Sequence, residues 1–110
     1  SEKRDLIASS RRQGEKLLAG LRELQKRFPL IGEVRGKGLM IGVELVQDPR
    51  TKAYAPNEAT RMLEEMRKRK VLIGKGGRFG NVLRIQPPLI FDDNDTTEFL
   101  KAFEASLAAL

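Results

Sequence analysis

What most constrains the fold of this chain is a change of apolar spacing along its length. Between Arg4 and Phe28 the residues Leu17, Leu18, Leu21, Leu24 and Phe28 recur at helical spacing, which writes one buried stripe on a helix. Soon afterwards, in GEVRGKGLMIGVELV, Ile41, Val43 and Leu45 alternate with Met40, Gly42 and Glu44, the two-residue period of a half-buried strand. A chain that switches between these periods has to lay helices on a sheet.

The remaining segments follow the same logic. Gly14 and Gly20 weaken the first helix by up to about 1 kcal/mol each relative to Ala, and Pro29 helps to stop it. Gly36-Lys37-Gly38 is expected to turn one short strand into the next, and QDPRTKAYAPN, with Pro49 and Pro56, reads as a surface loop. A second helix is expected from about Asn57 to Lys70, with Ala59, Met62, Leu63 and Met66 inward and cations in its last turn. VLIG and NVLRIQ read as two further strands around the loop KGGRFG. Asp92 then caps a final helix whose stripe is Phe99, Leu100, Phe103, Leu107 and Leu110, with Asp93 and Asp95 complementing its dipole. The order αββαββα predicts a single α+β domain over residues 1–110. It has two layers, an antiparallel sheet of three to four strands with the helices mainly on one face, and Ile41, Val43, Leu45, Leu83 and Ile85 pointing into the interface.

Composition removes several chemistries. The absence of His and Cys takes away the commonest general base, thiolate nucleophiles and disulfides, so metalloenzyme and Ser-His or Cys-His hydrolase readings fall. No apolar run approaches the roughly 20 residues that span a bilayer, and SEKRDLIASS lacks the apolar core of a signal peptide; a soluble, cytoplasmic protein without a membrane partner is expected. The net charge of +6 is spread along helices among carboxylates, the pattern of a solvated face rather than an anion patch.

In NVLRIQ, Leu83 and Ile85 share one face and Val82, Arg84 and Gln86 the other, so Arg84 points away from the core just before Pro87 and Pro88 stop the ladder. A guanidinium there is either half of a surface ion pair or a planar fork, fixed on a strand, that grips a carboxylate through two hydrogen bonds. The loop GKGGRFG has neither Walker nor dinucleotide-binding spacing and reads as an ordinary strand connection. Nucleic acid is not an expected partner: KGGRF lacks an aromatic that RNA-stacking sheets need, and Phe28, Phe99 and Phe103 fall on core-facing helix stripes. Arg35 and Glu44 read as an acid–base pair or, more simply, as cross-strand surface neighbours. No nucleophile has a partnered base.

FPLIGEVRGKGLMIGVELV, the helix that follows, VLIGKGGRFGNVLRIQPPLIF and the closing amphipathic helix resemble, in order and spacing, the C-terminal small domain of class III pyridoxal-phosphate-dependent aminotransferases. These are the ornithine, acetylornithine and 4-aminobutyrate enzymes, and the phrasing resembles their alanine:glyoxylate type 2 branch. The likeness covers essentially the whole chain. It implies that Arg84, at the family's LRIxPPL position, binds the α-carboxylate of an amino acid or 2-oxo acid, and that Gly76, Gly77 and Asn81 line the approach to that cleft. It implies pyridoxal 5'-phosphate as cofactor of the full-length enzyme, a homodimer, and a large cofactor-binding domain that precedes this segment and carries the Schiff-base lysine. The chain begins abruptly inside a helix, so an excised or separately expressed domain is expected. Such a chain is expected to hold no cofactor and to have no activity alone. Gln86 departs from the small residue that the family places before its prolines. The other reading is a stand-alone or engineered binding or scaffold domain.

Overall fold

A computed structural model describes residues 2–37 and 39–110. Its elements are α1 (Glu2–Arg27), β1 (Ile31–Lys37), β2 (Met40–Leu45), α2 (Pro56–Lys68), β3 (Gly74–Gly76), β4 (Val82–Ile85) and α3 (Asp93–Ala108), the αββαββα order expected. The four strands form one antiparallel sheet in the order β1-β2-β4-β3, so two hairpins meet where β2 pairs with β4. Ile41, Val43, Leu45, Leu83 and Ile85 are all buried, and they meet Leu17, Leu21 and Leu24 of α1, Met62 and Met66 of α2, and Phe99, Phe103 and Leu107 of α3 in one core. Among the described residues no helix is long and apolar enough to cross a membrane.

Local chemistry sets the ends of these elements. Pro56 is not in the preceding loop but opens α2, where its fixed φ and missing N–H cost nothing. Asp92 caps α3 by accepting from the Asp95 amide at 2.8 Å, while the Asp95 carboxylate accepts from the Asp92 amide at 3.0 Å. Two strand boundaries differ from the sequence expectation. Lys37 pairs with Met40, so Gly36 and Lys37 belong to β1 and the turn falls after them; Gly38 lies outside the described residues. Gly36 answers instead to the close approach of α1, because a Cβ there would lie 2.6 Å from Leu18 Cδ1. VLIG is likewise not a strand up to Gly74, and β3 runs through Gly74–Gly76 in the stretch expected to be loop. The reason is the end of α2: Lys70 takes a φ of 65°, its amide donates to the Arg67 carbonyl, and the Val71 amide reaches back to Met66 O at 3.0 Å. This closure spends the Val71 backbone on the helix terminus.

The long α1 is tied to α3 by side chains. Thr96 Oγ1 donates to Gln13 Oε1 at 2.6 Å, Gln13 Nε2 donates to Asp93 Oδ1 at 2.8 Å, and Lys16 pairs with the same carboxylate. Gln13 and then Lys16 hold the Asp93 carboxyl below its ordinary value. Farther along, Arg27 pairs with Glu104 at 2.9 Å.

Candidate functional site

The helices leave the other face of the sheet uncovered. Strand register sets Arg35, Gly42, Arg84 and Gly74 side by side across it, with Glu33, Glu44, Val82 and Gly76 in the adjoining row. Arg84 is exposed as its alternation with Leu83 and Ile85 requires, and glycines stand in register with it on both sides. Among the described residues it has no carboxylate within ion-pair distance, so the surface-pair reading of Arg84 is not what the structure holds.

The Arg84 side chain lies diagonally over Gly76. A Cβ built on Gly76 would stand 2.5 Å from Arg84 Cζ, 2.6 Å from Nε and 2.7 Å from Nη2. Because Cζ is the nearest of the three, the glycine meets the face of the guanidinium and not an N–H edge. Contact through the face spends none of the N–H groups of the fork on β3.

The other expected site residues separate. Gly77, with φ at 79° and a would-be Cβ 2.7 Å from Val82 Cγ2, makes the turn out of β3 and sits next to the arginine's seat. Asn81 is only 2% exposed and faces inward: its Nδ2 donates to Leu45 O at 2.9 Å and its carbonyl accepts from the Leu45 amide at 2.8 Å. It clamps the start of β4 to the end of β2 and offers nothing to the open face. Arg35 faces Gly42 and pairs with Glu33 at 2.8 Å, so the Arg35–Glu44 pairing does not form.

At the rim, the rings of Tyr54 and Phe79 stack with centroids 4.0 Å apart, and Arg78 lies over Phe79 at 5.5 Å. Sequence reading did not bring these together, because they come from loops far apart along the chain. A groove of about 630 Å³ opens near Gln86, Pro87 and Pro88, between the ends of α2 and α3, but Arg84 does not line it. Every lysine is exposed, and Lys75, the lysine of the glycine-rich stretch, donates to Thr60 Oγ1.

The sequence pattern of the family described as aminotransferase class-III matches residues 1–107. The chain belongs to that family. This class-III aminotransferase chain is 41% identical over 109 residues to alanine–glyoxylate aminotransferase 2 homolog 2, mitochondrial, of Arabidopsis thaliana, covering 99% of itself and 23% of that protein. It superposes on a phospholyase from Arthrobacter in complex with phosphoethanolamine with a TM-score of 0.91 and 33% identity, over 99% of this chain and 26% of the other. A Bacillus anthracis aminotransferase gives a TM-score of 0.89 at 28% identity, over 99% and 25% of the two chains. The chain thus spans about a quarter of the length of these relatives.

Proposed function

We propose that this chain is the substrate-positioning small domain of a pyridoxal-phosphate-dependent transaminase, with Arg84 gripping the carboxylate of an amino acid or 2-oxo acid. The observation that carries the reading is the state of Arg84. It is an arginine on a central strand, with no ion-pair partner among the described residues and no N–H of its fork spent on β3, in a chain of this family. Binding a carboxylate through two parallel hydrogen bonds fixes its direction as well as its place, and that orients the reacting carbon. Gly77 shapes the turn beside the clamp, and Asn81 acts on it only by holding β4 in register.

In this reading the rest of the polypeptide supplies a large domain that holds the cofactor, and two such chains form a homodimeric, cytoplasmic enzyme. When bound there, pyridoxal phosphate supplies an electron sink for the amino-group transfer. The chain described here contributes binding and orientation and moves no proton.

The test is Arg84→Ala in the full-length enzyme. Loss of a charge-assisted contact should lower kcat/KM for amino acid and 2-oxo acid substrates by roughly 10- to 150-fold, with Arg84→Lys recovering only part. Amines without the carboxylate should react almost unchanged. If the variant keeps the wild-type kcat/KM for amino acids, Arg84 is not the clamp. A second reading comes from the Arthrobacter neighbour, whose ligand, phosphoethanolamine, has a phosphate and no carboxylate. The same fork would then hold a phosphate. Release of inorganic phosphate from phosphoethanolamine, with no 2-oxo acid formed from any amino donor, would favour it over transamination.

A further inference from the structure

We infer that Gly76 is a positioning residue for substrate binding: it is the seat on which the Arg84 guanidinium lies flat, and the absence of a side chain there holds the fork ready for a carboxylate. The inference rests on the carboxylate-clamp reading of Arg84. It begins from a contrast among the glycines around that residue. Gly42 and Gly74 are its neighbours in register, yet a Cβ on Gly74 would stand an ordinary 3.8 Å from Arg84 Cβ, and one on Gly42 would touch only Val82 Cγ1, at 3.5 Å. Neither intrudes on the guanidinium. A Cβ on Gly76 would occupy the space of Cζ, Nε and Nη2 together.

The backbone does not explain the glycine. Gly77 and Gly80 have positive φ and Gly76 does not, so alanine fits the Gly76 backbone and acts only by displacing the end of the Arg84 side chain. What that space provides is preorganisation. An arginine side chain is rich in rotamers, and one free to wander on an open sheet face would have to be ordered by the substrate at a cost in affinity. Resting face-down across β3, Arg84 has much of that freedom removed before substrate arrives, and contact through its face leaves the N–H edges unspent.

The measurement is the dissociation constant for acetate, an unreactive carboxylate, in the cofactor-loaded full-length enzyme. It is compared among wild type, Gly76→Ala, Gly74→Ala, Arg84→Ala and the Gly76→Ala/Arg84→Ala double variant. Gly76→Ala should weaken acetate binding by roughly 10-fold, the order expected from freeing one long side chain. Gly74→Ala, on the same three-residue strand, should bind as wild type does. The double variant should be no weaker than Arg84→Ala alone, because the seat acts only through the arginine. The rate with a primary amine lacking a carboxylate should be the same for Gly76→Ala and wild type, which a general disturbance of β3 would not permit. Wild-type acetate binding by Arg84→Ala would overturn the clamp itself. Weakened binding by Arg84→Ala with wild-type binding by Gly76→Ala would overturn only the seat. Equal losses from Gly74→Ala and Gly76→Ala, or additive losses in the double variant, would show β3 acting independently of Arg84 and also overturn it.

Discussion

At β4, adjacent residues answer to different demands. Leu83 and Ile85 close the core, Arg84 stands outside it, and Asn81 just ahead of the strand faces inward with the leucine and isoleucine. Asn81→Ala therefore acts on the fold. It removes the amide that donates to Leu45 O and leaves a void in a buried place, although Leu45 O keeps the Ala55 amide at 3.2 Å as a second donor. A loss of about 1 to 2 kcal/mol in urea unfolding is the expected outcome, whereas Arg84→Ala in the same assay should stay within about 0.5 kcal/mol of wild type. Equal losses for the two variants would contradict this division. The alternation that turns Arg84 outward also turns Asn81 inward, so the inward placement was legible in the sequence. The family resemblance, and not the parity with Leu83, put Asn81 at the cleft.

At the scale of elements, the two glycines of α1 look alike in sequence and differ in space. A Cβ on Gly14 would meet nothing within 4 Å, while one on Gly20 would run into Leu100 of α3, 2.8 Å from its Cδ2. Gly14→Ala should therefore gain the helix-propensity difference, roughly 0.5 to 1 kcal/mol, and raise the melting temperature by a few degrees. Gly20→Ala should lower it, because the leucine must move out of its packing. Calorimetry on both variants decides, and equal upward shifts would refute the contrast. Helix existence and polarity were legible because apolar periodicity and the charges near the ends carry them. The end of α2 was not: Lys70 takes the left-handed conformation more usual for glycine, and nothing in RKRKVLIG announces it. That closure is what pushes β3 to Gly74–Gly76.

For the whole molecule, the fold class followed from the order of periods, but the strand order β1-β2-β4-β3 did not. The β2–β4 pairing joins residues on opposite sides of α2, and no local signal fixes which hairpin edges meet. The same scale carries a prediction about activity. Every lysine is exposed, and on the proposed role of this chain the amine that holds the cofactor lies elsewhere in the enzyme. Mixed with the cofactor, an amino donor and a 2-oxo acid, it should form no more product than the cofactor does without protein. Sustained turnover would show that the chain carries a complete active site and would overturn its role as a partial one.

The alternation along β4 also separates two kinds of inherited change. Substitutions at Leu83 or Ile85 are judged by packing density, those at Arg84 or at the glycines around it by what approaches the bare face. On the proposed role of Arg84, a lineage can therefore exchange one anionic ligand for another by altering every second residue of a short strand and the backbone beneath it, while the hydrophobic interior stays as it was.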